Sequence, residues 1–124
     1  MNVLICGDRN WTDQDTIENY IKTLSPNSVI IHGGCRGADT IANDMAIKHG
    51  HLVNDFPAYW ESYGAAAGPI RNGEMLKQGK PELVVAFHDN LENSKGTKDM
   101  IRQAKRAGVP VEVRRSNNSR KAEE

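Results

Sequence analysis

The chain has too few cysteines for a disulfide framework or a metal quartet, only Cys6 and Cys35. Its histidines, His32, His49, His51 and His88, show no ligand spacing of the H-E-x-x-H kind, so no metal site is expected. It lacks a Gly-x-Ser-x-Gly nucleophile elbow. No Gly-Lys-Ser/Thr completes a Walker loop, and no G-x-G-x-x-G is present. Excess charge of one sign is missing too. Sixteen basic residues balance 16 acidic ones, which removes any general affinity for nucleic acid or an anionic membrane. No apolar run approaches a membrane span, no signal-peptide pattern opens the chain, and no internal repeat is visible. What remains is an ordinary globular mixture, 38% hydrophobic and 26% charged over 124 residues. That length suits one domain with a sizeable core, and a cytoplasmic location is expected.

Apolar patterning alternates between two periods. Val3-Leu4-Ile5-Cys6 is a continuous apolar run, the pattern of a strand covered on both faces, and ends at Gly7. Thr12 and Asp15 predict a capping box. Ile17, Tyr20, Ile21 and Leu24 form one helical stripe, stopped by Ser25-Pro26-Asn27. Ser28 to His32 predicts a second buried strand. Ala38, Ile41, Ala42, Met45 and Ala46 line a second helix that Gly50 ends. His51 to Phe56 predicts a third strand, and Pro57 to Gly68 a long connection. Pro69 suits the first turn of a third helix running to about Gln78, with Gly79 after it. Leu83 to Phe87 is the clearest strand. A fourth helix is predicted from about Gly96 to Gly108, then a fifth strand over Val109 to Val113, whose proline suits an edge. From Arg114 the chain is polar, and a disordered tail over 114–124 is expected. Alternating strands and helices call for a parallel sheet with helices on both faces. In such sheets ligands bind where loops leave the carboxyl ends of the strands.

Cations beside glycines recur on that edge. The first loop holds Gly7, Asp8 and Arg9. The second is His32-Gly33-Gly34-Cys35-Arg36-Gly37-Ala38-Asp39. The third reaches Gly68, Arg71 and Asn72, and the fourth holds Ser94, Lys95, Gly96 and Thr97. Four like charges in one cleft repel unless an anion or nearby carboxylates compensate, and Asp8, Asp39 and Asp89 are the candidates for the second case. Backbone N–H groups, a helix N-terminus and Arg36 around the second turn suit phosphate. The bland alternative is a tight turn whose glycines only permit packing. Ser94 and Thr97 read equally as helix caps, and Asp39, early in its helix, is explained by the helix dipole alone. Arg71, just inside a predicted helix start, opposes that dipole, so an anionic ligand gives it a reason. Trp60, with Tyr59 and Tyr63, suits stacking on a base, or else packing or an oligomer contact. Cys35 borders the site, as a small turn residue rather than a nucleophile.

Together, Cys6-Gly7-Asp8-Arg9-Asn10-Trp11-Thr12-Asp13, the glycine-arginine turn at 32–39, Ala67-Gly68-Pro69-Ile70-Arg71-Asn72 and Ser94-Lys95-Gly96-Thr97 resemble the YspA-like branch of the SLOG superfamily. The resemblance covers about Asn2 to Val113. It implies a Rossmann-like α/β three-layer sandwich with a mostly parallel five-stranded sheet, found in bacterial and phage genomes, and a nucleotide-like ligand. Related LOG-type enzymes cleave the N-glycosidic bond of nucleoside monophosphates, and the DprA branch binds single-stranded DNA. LOG enzymes carry Pro-Gly-Gly-x-Gly-Thr-x-x-Glu with a catalytic glutamate. Gly96-Thr97 keeps part of that pattern, Met100 stands at the glutamate position, Asp99 is one residue early, and Arg71 corresponds to the LOG arginine.

The expectation is a single domain over 1–113 that binds a phosphorylated nucleotide or nucleotide-derived ligand, as a sensor or sequestering protein. The expected site comprises Gly7, Arg9, Gly33, Gly34, Arg36, Gly37, Asp39, Trp60, Arg71, Asn72, Ser94, Lys95, Gly96 and Thr97. No cofactor is called for, no catalytic residue is assigned, and a homo-oligomer is open. The alternatives are a phosphoribohydrolase, with Asp8, Asp39 or Asp99 replacing the glutamate, and a DprA-like DNA-binding accessory protein, which the neutral charge disfavours.

Overall fold

The computed structural model describes residues 1–117. Five strands, β1 (Asn2–Gly7), β2 (Val29–His32), β3 (Leu52–Asp55), β4 (Leu83–Phe87) and β5 (Val111–Arg114), form one sheet in the order β3-β2-β1-β4-β5. Every pairing is parallel, where the sequence predicts a mostly parallel sheet. The helices are α1 (Gln14–Lys22), α2 (Ala38–Lys48), α3 (Trp60–Tyr63), α4 (Ala67–Gly79) and α5 (Lys95–Arg106).

The continuous apolar runs are covered on both faces. Val3 and Ile5 of β1, with Val85 and Phe87 of β4, pack under α1 and α2. Their neighbours Leu4, Cys6, Val84 and Ala86 pack with Met75 of α4 and with Met100 and Ala104 of α5. The two-residue period of a strand thus feeds two separate cores. Each fully buried aliphatic side chain contributes roughly 1.5–3 kcal/mol. β3 and β5 lie at the edges, and Pro110 immediately precedes β5, as its missing N–H requires.

Several boundaries differ from the sequence reading for local reasons. Asp13, not Thr12, caps α1: its Oδ1 accepts from the Thr16 N–H at 3.2 Å. Residues 60–63 form a short helix inside the predicted connection, followed by one 3-10 turn over Gly64–Ala66. α4 starts two residues before Pro69 and continues through Gly79. Gly79 ends the helix from inside it, lying close against Ile31, where a Cβ would come 3.0 Å from Cδ1, and Lys80 takes the left-handed closing position (φ 49°). The described chain also continues past Val113. Arg114 ends β5 and lies 4.5 Å from the Tyr20 ring centroid. Ser116 donates from N–H and Oγ to the Asp89 carboxylate at 2.7 and 2.6 Å. The remainder of the expected tail, 118–124, lies outside the described residues.

Candidate functional site

All four cation-bearing loops leave the carboxyl ends of β1 to β4, yet they do not converge on one volume. A cleft of about 770 Å³ is lined by Arg9, Gly33, Gly34, Cys35, Arg36, Asp55, Pro57, Ala58, Trp60 and Arg71. Six of the expected site residues meet there: Arg9, Gly33, Gly34, Arg36, Trp60 and Arg71. Ser94, Lys95, Gly96 and Thr97 do not line it. Ser94 instead caps α5, its Oγ accepting from the Thr97 N–H at 3.1 Å. Gly7 lies behind the cleft against the Phe87 carbonyl, and Gly37 (φ 77°) lies where a Cβ would strike the Asp8 and Arg9 carbonyls.

The glycine-arginine turn uses its own donors. Asp39 Oδ2 accepts from the Gly33 N–H at 3.1 Å and the Cys35 N–H at 3.2 Å. The Gly34 N–H donates to His32 Nδ1 at 3.0 Å, so the ring's other nitrogen faces Asn43 Oδ1 as the donor, also at 3.0 Å. Three of the expected phosphate donors, the N–H groups of Gly33, Gly34 and Cys35, are therefore taken by Asp39 and His32. Asp39 is 5% exposed. Burial pushes its carboxyl above the ordinary value, opposed by the Cys35 and Gly33 N–H groups and by His32 and Arg71. Asp39 thus holds the turn through two backbone N–H groups from a buried position.

Arg71 is unusual for a different reason than its helix position. With α4 starting at Ala67, Arg71 sits more than one turn in, where the dipole argument fades. What sets it apart is burial: it is 8% exposed. Its Nη1 donates to the Gly33 carbonyl at 2.6 Å, its Nε to Asn72 Oδ1 at 3.1 Å, and its Nη2 to Cys35 Sγ at 3.7 Å. Each terminal nitrogen keeps a second N–H. Among the described residues no carboxylate comes within ion-pair distance of it. Gly33 is glycine because the guanidinium lies over it: a Cβ would come within 2.6 Å of Nη1.

Asn72 ties this cation to α5. Its Nδ2 donates to Asp99 Oδ2 at 3.0 Å and to the Gly96 carbonyl at 3.3 Å, which fixes its oxygen toward Arg71. Asp99 also accepts from Gln103 at 2.7 Å and Arg102 at 3.2 Å. Desolvation raises the Asp99 carboxyl, but hydrogen bonds from Asn72, Gln103 and Arg102 outweigh it and hold the group below its ordinary value. Asp99 lines a second groove, about 460 Å³ between α4 and α5, not the arginine cleft. Met100 lies in the core at 1% exposure.

Trp60 is half exposed, and its ring packs over Gly68, with a Cβ there 3.3 Å from Cη2. Tyr59 and Tyr63 are exposed beside it and do not line the cleft. The sequence reading missed Asp55, Pro57 and Ala58. Asp55 closes β3 at the carboxyl edge of the sheet, a position visible once the strand's end is known.

Known proteins share this framework. The family model described as "YspA, cpYpsA-related SLOG family" matches residues 1–63, which hold β1, the glycine-arginine turn, β3 and Trp60 but not Arg71. The Gene 61 protein of Mycobacterium phage D29 is 38% identical over 118 residues, covering 88% of this chain and 92% of that protein. DNA processing protein A (DprA) from Streptococcus pneumoniae superposes with a TM-score of 0.73 at 19% identity, over 90% of this chain. The chain spans 49% of DprA, and the likeness is one of fold. A match over the half that carries the arginine turn, and a phage relative similar almost end to end, place the chain in the YspA, cpYpsA-related SLOG family.

Proposed function

We propose that the domain binds a small phosphorylated nucleotide or nucleotide-derived ligand in the arginine cleft, as a sensor or sequestering protein. The observation that carries this reading is Arg71, a buried guanidinium with no carboxylate partner and with N–H groups left over beside an open cleft. Asp39 acts on this charge only through space; a buried charge without a direct ionic partner is costly, and a ligand anion offsets that cost. Arg36 and Arg9, both exposed on the same cleft, supply further charge-assisted donors. Trp60 offers a ring for a base. Ser94 to Thr97 act through the Asn72 connection rather than by contact. Glycosidic cleavage is not part of the proposal, because Met100 is core and Asp99 belongs to the other groove.

Thermal denaturation against mono-, di- and triphosphates, ADP-ribose, cyclic nucleotides and a single-stranded oligonucleotide tests the reading. A ligand at 100 times its Kd stabilises by ~2.7 kcal/mol, a shift of several degrees. Arg36→Ala, at an exposed position, removes most of that shift with the unliganded Tm unchanged. Arg71→Ala removes it and also lowers the unliganded Tm, since the Gly33 carbonyl loses its donor. A mononucleotide shift that survives both substitutions contradicts the proposal. Preference for the oligonucleotide, steeply reduced by salt, favours the nucleic-acid reading instead. Chromatography of the incubated mixture separates binding from hydrolysis.

A further inference from the structure

Zero net charge conceals a segregation of sign across the sheet. α1 and α2, packed on one face, carry four acidic residues and two basic ones. α4 and α5, packed on the other, carry seven basic residues and two acidic ones. Five of those seven belong to α5: Lys95, Lys98, Arg102, Lys105 and Arg106, all exposed. At about 100° per residue they fall within an arc of about 100°, along a stripe about 15 Å long. The buried residues of the helix, Thr97, Met100 and Ala104, take the opposite side. Asp99 is the one acidic residue of α5, and it pairs with Arg102. Among the described residues Lys95, Lys98, Lys105 and Arg106 enter no ion pair. The helix dipole accounts for Lys105 and Arg106 in the last turn. It opposes Lys95 and Lys98 at the other end, where the first turn holds no acidic residue. Like charges three and four apart along the stripe add repulsion. An extended polyanion laid along the helix relieves both costs.

What else this face offers decides between polyanions. Among the described residues, α5 exposes no large apolar side chain. The groove between α4 and α5 adds Lys77 to its lining and no aromatic ring. A protein partner takes its affinity from buried aromatic and aliphatic anchors, a membrane from apolar side chains that insert, and a single strand from rings on which its bases stack. The α5 face supplies none of these. It supplies a straight row of cations, which suits the phosphates on the outside of a duplex whose bases are stacked away from the protein. We infer that the outer face of α5 binds the backbone of duplex DNA without reading its sequence. This site is separate from the arginine cleft and does not depend on what that cleft holds.

Fluorescence anisotropy of a labelled DNA duplex of about 20 base pairs, followed over a salt series, tests the inference. With four or five phosphates neutralised, log K should fall against log salt with a slope of roughly −4. Lys98→Gln/Lys105→Gln should weaken binding about tenfold or more and make the slope shallower by roughly 2. Both side chains are exposed, so the melting transition of the free protein should stay in place. Lys22→Gln/Lys48→Gln removes the same charge from α1 and α2. It should change binding little above about 0.1 M salt, where the Debye length is about 10 Å. Arg36→Ala should leave duplex binding as it is. Absence of duplex binding at low salt overturns the inference. Tighter binding of the single strand does so too, as does equal binding of polyglutamate. An equal loss in the Lys22→Gln/Lys48→Gln variant reduces the effect to net charge, and a loss in Arg36→Ala moves the duplex to the arginine cleft; either result overturns the α5 site.

Discussion

A glycine and an arginine define the site at the scale of single residues. Gly33 provides the carbonyl that Arg71 grips and, by having no side chain, the space its guanidinium fills. Gly33→Ala is therefore expected to evict the guanidinium while the turn itself persists. The expected result is loss of ligand-induced stabilisation with an intrinsic destabilisation of about 1–3 kcal/mol, the range for disturbing a buried hydrogen bond. Urea unfolding of the variant with and without nucleotide measures both. Sequence reasoning reached Arg71 through its predicted helix position, whereas the structure sets it apart by burial at the edge of a cleft. Burial and the lack of a direct ion pair belong to tertiary packing, which spacing alone does not encode. Asp39 shows the reverse. Its early place in α2 was legible, but its occupation of the Gly33 and Cys35 donors depends on the turn folding back over the helix start.

Among the elements, legibility followed burial. β4 stands where its apolar run predicts, because both of its faces are covered. β3 and β5, half exposed at the edges, have weaker patterns and shifted ends. The ends of α1 and α4 moved because Asp13 caps the first and Lys80, in the left-handed region, closes the second. Helix pairs are joined by polar ties that no stripe predicts. Glu18 of α1 meets Lys48 of α2 and the adjoining His49, each at 2.8 Å. Hydrogen bonds first from Lys48 and then from His49 hold its carboxyl at about 2, below its ordinary 4.5. A carboxyl lowered on folding stabilises above its unfolded value and loses that contribution as pH falls from about 4.5 toward 2. Glu18→Gln should thus be less stable than the wild type near neutrality, with the gap closing across that window in a series of thermal melts. The tie is at the surface, so the gap should be small and should shrink in high salt.

For the whole molecule, the parallel order brings the loop ends to one edge, where residues of the first three loops line the arginine cleft and Ser94 to Thr97 do not, and Asn72 ties Arg71 to Asp99 in the groove between α4 and α5. The fold class was legible from alternation alone, whereas that division was not, since it depends on how far each loop leans. The domain's limit is also a property of the whole. Arg114 over Tyr20 and Ser116 on Asp89 fasten the last strand back onto the body. A chain ending at Val113 should be less stable than one ending at Asn117 by at least roughly 2 kcal/mol, from the cation–ring contact and the hydrogen bonds made by Arg114, Ser116 and Asn117, as measured by denaturant midpoints. β1 lies at the centre of the sheet, where Val3 pairs with both Ile30 and Leu83. Its second partner arrives only after most of the domain has been threaded into place. Such a pairing closes a long loop before it gains any contact, so the rate of folding should be governed by the meeting of β1 with β4, and core substitutions there should slow refolding more than equal losses in α1.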